Sequence, residues 1–200
     1  MESFEKIKSD ILTRLRTELP KNLFYHCPEH TEDVLQAAES IAKKEGVTGE
    51  DLLLLKIAAL FHDTGFLIVH RGHEEHSCMV ARESLTGYGF NEKQIDHVCE
   101  MIMATKLPQS PKDKLGEILC DADLDYLGRD DFFPIGNTLY DEMIDYRFLK
   151  DDKQWNRIQL TFLENHKYFT KTSIESRTAI KQKHLDKIKE IVASYDTEGN

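Results

Sequence analysis

The chain has little of several features that mark common protein classes. It contains no apolar run near the roughly 18 residues that a membrane span requires, and its charged start lacks the apolar core of a signal peptide. Basic residues are outnumbered 26 to 36, which gives a net charge of −10. This balance argues against a nucleic acid or an anionic membrane as the main partner. We therefore expect a cytoplasmic protein without a membrane partner.

Cysteine is also sparse, and no two cysteines form a CxxC pair. The four are Cys27, Cys78, Cys99 and Cys120. Such wide spacing is typical of reduced, mostly buried thiols in the cytosol, not of a disulfide framework. It also disfavours a closed structural zinc site, which would use cysteine ligands.

Strand patterns of useful length are missing as well, and apolar residues recur at three- and four-residue steps along almost the whole chain. The pattern predicts helices over about 4–19, 28–46, 48–63, 74–85, 91–107, 115–127, 135–149, 152–167 and 173–195. A loop is expected over 129–134, and a capping box at Thr48 to Asp51. We predict an all-α fold of about eight or nine helices. Residues 1–200 are expected to form a single domain, with the C-terminal helices of 135–195 packing on the rest.

One stretch, Leu55 to Gly65, carries the most chemistry. It is an apolar helical run that ends in the adjacent pair His62-Asp63 and is then stopped by glycine. An ionisable pair at the end of a core helix needs good hydrogen-bond partners or a cation. Further residues of suitable type lie elsewhere in the chain: His26, His30, His73, His76, Asp121 and Asp123. The sequence therefore predicts a metal site assembled from several helices.

Four of these residues, on three predicted helices, have the right chemistry for the ion itself. They are His30, His62, Asp63 and Asp123. Two imidazoles with two carboxylates suit a six-coordinate, moderately hard divalent ion such as Mn²⁺, Mg²⁺, Fe²⁺, Co²⁺ or Ni²⁺. A chain with nine histidines can also offer such a set by chance, and spacing alone leaves both interpretations open.

Three motifs together carry a family resemblance. They are Tyr25-His26-xxx-His30-Thr31, Phe61-His62-Asp63-Thr64-Gly65, and the stretch from Ile118 to Asp125 that contains Asp121-Ala122-Asp123. Their order resembles that of the HD-domain superfamily of metal-dependent phosphohydrolases, over a core of about residues 22–130. The resemblance implies an all-α fold, one or two divalent ions, and hydrolysis of phosphomonoesters, phosphodiesters or nucleotides.

The resemblance also implies roles for individual residues. His30, His62, Asp63 and Asp123 match the metal-ligand positions, and Asp121 is expected behind them as an outer-shell partner. Two-metal members carry a further histidine where this chain has Met103 to Lys106, so one ion is favoured over two. Asp63 or Asp123 is expected to orient the attacking hydroxide.

Two histidines are candidates for the acid that protonates the departing oxygen. His26 resembles the first histidine of the Tyr-His-xxx-His motif of cyclic-nucleotide phosphodiesterases, and the alternative is a loop histidine bonded to a backbone carbonyl. His73 and His76 fall where two-metal members supply extra ligands or substrate contacts. The alternative is that both are exposed beside a helix start.

Three basic residues flank the expected site in loops and are candidates for phosphate binding: Arg71, Lys106 and Arg129. His76 is grouped with them as a substrate contact. The alternative for each basic residue is an ordinary solvated surface charge.

These observations favour a metal-dependent phosphohydrolase that cleaves a small phosphate ester or nucleotide with a metal-activated water. One alternative is a cyclic-nucleotide or cyclic-dinucleotide phosphodiesterase. Another is a non-catalytic, metal-binding signalling module of the same fold, and a third is oxygen activation at a di-iron site. A small phosphate or nucleotide is the expected partner, nucleic acid is not expected, and a homodimer is allowed.

Overall fold

The structure, a computed structural model, describes residues 3–197, with side chains to residue 195. This part of the chain contains nine α-helices, two short 3-10 helices and no strand, so the predicted all-α class is confirmed. The chain forms two compact units with the boundary between Asp123 and Leu124. The single domain over 1–200 stays a prediction.

The first unit contains six α-helices and one 3-10 helix. They are α1 (Phe4–Glu18), α2 (Pro28–Lys44), α3 (Gly49–Phe61), the 3-10 helix Thr64–Leu67, α4 (His73–Gly87), α5 (Glu92–Ala104) and α6 (Lys114–Asp123). Local chemistry explains several starts. Pro28 opens α2, where its missing N–H costs nothing, and Asn91 with Gln94 forms a complete capping box at α5.

Helix α3 lies at the centre of this unit. It packs against α1, α2, α5 and α6, and every residue from Ile57 to Phe61 is fully buried. A helix that is apolar all round belongs inside a core. The His-Asp pair that follows α3 is therefore delivered into the interior of the unit, not to its surface.

Three details of the helix prediction were wrong. The Thr48 side chain makes no capping hydrogen bond, and Glu50 and Asp51 instead place negative charge in the first turn of α3, where the helix dipole favours it. Helix α6 ends at Asp123, and a 3-10 helix, Asp125–Gly128, replaces its expected last turn. Helix α7 begins at Phe132, inside the expected loop.

The second unit holds the 3-10 helix Asp125–Gly128, α7 (Phe132–Asp145), α8 (Asp152–Asn165) and α9 (Lys171–Thr197). Helix α9 packs against α8 and against the 3-10 helix. Arg177 on α9 holds the buried Asp125 with two hydrogen bonds of 2.8 and 3.0 Å, a bidentate geometry that fixes orientation. Lys181 donates to the carbonyls of Leu163 and His166 at the end of α8. Within residues 3–197, no helix is long and apolar enough to cross a membrane.

Candidate metal centre

The orientation of His62 is set by the end of α3. Its Nδ1 lies 2.8 Å from the Ala59 carbonyl oxygen, and a carbonyl can only accept. The proton of neutral His62 must therefore sit on Nδ1, which leaves a lone pair on Nε2. A backbone bond of this kind is the usual way in which a metal-binding histidine is held in one tautomer.

Three other donor atoms lie in front of that lone pair. They come from His30 on α2, from Asp63 directly after His62, and from Asp123 on α6. His62 Nε2 lies 3.4 Å from His30 Nε2, 3.2 Å from Asp63 Oδ2 and 3.5 Å from Asp123 Oδ1. His30 Nε2 lies 3.2 Å from Asp123 Oδ1 and 3.5 Å from Asp63 Oδ2. Residues separated by up to 93 positions in sequence thus meet at one point.

The cluster has the geometry and charge that a divalent ion needs. Ligands about 2.0–2.2 Å from an ion are separated from their neighbours by roughly 2.8–3.6 Å, and the five distances above fall inside that range. Two carboxylates with two neutral imidazoles carry two negative charges. Asp63 Oδ2 is buried and has no hydrogen-bond partner among the described residues, which is costly unless a cation completes it. The donor atoms of His30, His62 and Asp123 all lie within 4.8 Å of one another, and Asp63 Oδ2 adjoins the two histidines. These side chains therefore fit a divalent metal.

Electrostatic coupling in the cluster is strong even without an ion. Burial alone would lower the pKa of the His62 imidazole, but the Asp63 and Asp123 carboxylates outweigh it and hold that pKa well above its usual value. Burial would raise the pKa of Asp63 and of Asp123, yet the facing imidazoles hold both well below the ordinary range. The carboxylates are thus ionised at neutral pH, as metal ligands must be.

Asp63 also faces a second group. Its Oδ1 lies 3.3 Å from Nε2 of His73, the first residue of α4, and Glu74 Oε1 lies 3.8 Å from the same nitrogen. Burial lowers the pKa of His73, but its contact with Asp63 and the charges of Asp63 and Glu74 raise it above the usual value. Only 20% of the His73 side chain is exposed. Asp63 therefore joins the donor cluster to a partly buried, protonatable imidazole.

The start of α4 is held against the His-Asp turn by a glycine. Gly65 N–H donates to Ser77 Oγ at 2.8 Å, and a Cβ on Gly65 would overlap the backbone carbonyl of His73. Only glycine allows this approach. The glycine after the His-Asp pair thus does more than end a helix, because it lets α4 bring His73 to Asp63.

His26 lies beside the cluster, in an aromatic arrangement that the sequence did not predict. The Phe66 ring stacks on His26 at 4.1 Å and on His73 at 4.1 Å. The His26 ring centre lies 6.2 Å from that of His30 and 6.0 Å from that of His73. His70 packs edge-on against Phe66 at 5.2 Å. Phe66 follows the His-Asp-Thr-Gly motif directly, and that position was its only sequence signal.

Two other predicted site residues lie near α4 with partners of their own. The Nδ1 atom of His76 lies 3.0 Å from the carbonyl oxygen of Gly72, which anchors its ring to the loop before α4. The ammonium group of Lys106 pairs with the exposed Glu75 carboxylate. A phosphate would have to displace Glu75 to reach Lys106.

The remaining predicted residues occupy different surroundings. Asp121 is completely buried on α6, two residues before Asp123, whereas Arg71 is exposed in the turn before α4. Arg129 belongs to the second unit, where it forms two hydrogen bonds with Asp131, of 2.9 and 2.8 Å. Phosphate binding by Arg71, Lys106 and Arg129 stays a prediction.

Comparisons with known proteins agree with this geometry. Residues 29–125 match the family model described as HD domain. A crystal structure of a predicted HD superfamily hydrolase from an uncultured Thermotogales bacterium is similar over 100% of both chains, with a TM-score of 0.56 and 22% sequence identity. At this identity the likeness concerns the fold. No curated protein matched the chain. The match of residues 29–125 to the HD domain model confirms the resemblance that the three sequence motifs indicate.

Proposed function

We propose that the protein is a metal-dependent phosphohydrolase that cleaves a small phosphate ester or a nucleotide. The HD domain supports the broader class of metal-dependent hydrolases. One observation supports the proposal most: the donor atoms of His30, His62 and Asp123 lie within 4.8 Å of one another, and the unsatisfied Oδ2 of Asp63 lies against both histidines. A complete donor set favours an enzyme over a signalling module that keeps only the fold.

The four side chains would hold one divalent cation, which when bound supplies Lewis-acid chemistry by lowering the pKa of a water and offsetting phosphoryl charge. The protein's own contribution is orientation. His62 is fixed by the Ala59 carbonyl, and Asp63 enters the cluster through Oδ2 while its Oδ1 faces His73. A carboxylate held at both oxygens can orient an attacking water. Asp121, buried two residues before Asp123, would be an outer-shell partner that helps to orient a metal-binding side chain.

The departing oxygen needs a proton, and two imidazoles are placed to supply one. His73 is the stronger candidate for the general acid: burial lowers its pKa, but its contact with Asp63 and the charges of Asp63 and Glu74 outweigh this and raise the pKa, which favours the protonated imidazole. His26 is the second candidate, held beside His73 by the shared Phe66 ring. Arg71 and Lys106 are proposed to offset charge on the outer phosphate oxygens.

A phosphodiesterase acting on a cyclic nucleotide or dinucleotide is the second candidate. It is favoured by the position of His26, whose ring centre lies 6.2 Å from that of His30, in the spacing that resembles the Tyr-His-xxx-His motif. The two candidates share the metal centre and differ in the leaving group.

The test combines metal analysis with a hydrolysis screen. Purified protein is loaded separately with Mn²⁺, Mg²⁺, Fe²⁺, Co²⁺ or Ni²⁺ and assayed on phosphomonoesters and on mono-, di- and cyclic nucleotides. Asp63→Asn keeps the side-chain shape but removes the charge, so it should lose bound metal and hydrolysis together. Asp96→Asn is the matched control, since Asp96 is an exposed residue paired with Arg82. Full hydrolysis by Asp63→Asn, or metal-free hydrolysis by the wild type, would overturn the proposal.

A further inference from the structure

Two cysteines outside the metal centre lie directly opposite each other. Cys78 is on α4 and Cys99 is on α5, and these helices pack together. The Cys78 sulfur lies 3.5 Å from the Cys99 carbonyl oxygen, and the Cys99 sulfur lies 3.7 Å from the Cys78 carbonyl oxygen. Each side chain therefore reaches the backbone of the other residue.

This reciprocal arrangement is what a disulfide requires. A bridge forms without backbone movement only where the two Cα atoms lie within about 7 Å and the Cβ vectors point toward each other. Because each sulfur contacts the backbone of the other residue, the two side chains extend toward each other, which favours a bridge. The other cysteines lie differently: Cys120 donates to the carbonyl of Ala104, and Cys27 precedes the first residue of α2.

The surroundings also favour a reactive thiolate. The hydrogen bond from Cys78 lowers the pKa of the Cys99 thiol, burial and the Asp96 carboxylate oppose this, and the Arg82 guanidinium adds to the lowering. The pKa of the Cys78 thiol is raised by its interaction with Cys99 and by burial, so Cys99 is the thiol that ionises first. Arg82 on α4 pairs with Asp96 on α5. A thiolate beside a cation with a second thiol in contact is the environment in which cysteines oxidise selectively.

We propose that Cys78 and Cys99 are a modification site that forms a reversible intramolecular disulfide with hydrogen peroxide. The Cys99 thiolate attacks one peroxide oxygen, the O–O bond breaks, and the hydroxide released takes up a proton to become water. The Cys78 thiol then attacks the resulting sulfenic sulfur. An S–S bond forms, and the thiol proton leaves with the sulfenic hydroxyl as a second water. Two electrons pass from the sulfur pair to peroxide, and a dithiol reductant returns them.

The test titrates the full chain with hydrogen peroxide, alkylates the remaining thiols and maps the peptides by mass spectrometry. Before alkylation, the monomer should be lighter by two hydrogen atoms. In the peptide map, Cys78 should be linked to Cys99, and Cys27 and Cys120 should carry the alkyl group. The bridge closes a loop between residues 21 positions apart, so the thermal midpoint should rise by roughly 6–12 °C. Dithiothreitol should reverse both changes.

Variants separate the pair from the other cysteines. Cys27→Ala with Cys120→Ala should leave the linkage intact, whereas Cys78→Ala should abolish it and leave the oxidised mass as a sulfenic or higher acid. The proposal fails if all four cysteines of the peroxide-treated, folded wild type are still found alkylated. It also fails if the linkage involves Cys27, Cys120 or a second chain. Because the mapping on the wild type needs neither metal nor substrate, its outcome is independent of the proposed hydrolysis.

Discussion

Replacing Gly65 with alanine tests how the His-Asp turn is joined to α4. The added Cβ would overlap the His73 carbonyl oxygen and lie 2.8 Å from the Ser77 amide nitrogen. Ordinary contact begins at 3.4 Å, so the Ser77 contact alone requires the start of α4 to retreat by about 0.6 Å, and the nearer His73 oxygen requires a larger retreat. That retreat also strains the 2.8 Å hydrogen bond from Gly65 to Ser77. Backbone atoms of a packed helix cannot yield as a flexible side chain can.

The cost follows from these two effects. Overpacking a well-packed interior costs about 1–3 kcal/mol, and weakening one buried hydrogen bond adds about 1 kcal/mol. We expect Gly65→Ala to lose about 2–4 kcal/mol of unfolding free energy, which lowers the thermal midpoint by roughly 5–15 °C for a chain of this size. His73 should also move away from Asp63, so hydrolysis should fall more than the folded fraction does.

The assay is urea and thermal unfolding, with Gly87→Ala as the control. A Cβ on Gly87 meets nothing within 4 Å, so that variant should stay within about 1 kcal/mol of the wild type. If Gly65→Ala unfolded within about 0.5 kcal/mol of the wild type, the close approach described above would be refuted.

Three further predictions concern the metal centre. Saturating divalent metal, at about 100 times its Kd, should add about 2.7 kcal/mol of stability; calorimetry should find this gain in the wild type and not in Asp63→Asn. In chelated protein, the lowered pKa of Asp63 contributes stability that is lost as the pH falls below about 4. The raised pKa of His62 contributes stability that is lost as the pH rises above about 6.5. Thermal midpoints of the chelated protein should therefore peak between these two pH limits. Metal affinity should increase with pH, because metal binding needs unprotonated His62. Phe66→Leu should keep the fold but move the imidazole proton resonances of His26 and His73 in NMR spectra. It should also lower kcat more than it changes KM. Unchanged resonances would contradict the stacking of Phe66 on the two imidazoles.

Local patterns were enough to predict the all-α class and most helices. The spacing of apolar residues reports which face of a helix is buried, and proline and glycine mark its ends, so Pro28 was correctly expected to open α2. Helix ends were less certain where tertiary contacts compete with local preference. The unused Thr48 cap and the 3-10 helix after Asp123 are examples.

The residue types and their order were enough to predict the chemistry available to the site and the family resemblance, because the His-Asp pair, its flanking histidines and the later aspartates can be recognised in the sequence. Three findings required the folded structure: His30, His62 and Asp123 meet with Asp63 beside the histidines, Phe66 stacks on two imidazoles, and Cys78 meets Cys99. The physical reason is that periodicity gives the buried face of each helix, whereas the rotation and register of one helix against another depend on how side chains interlock across the core.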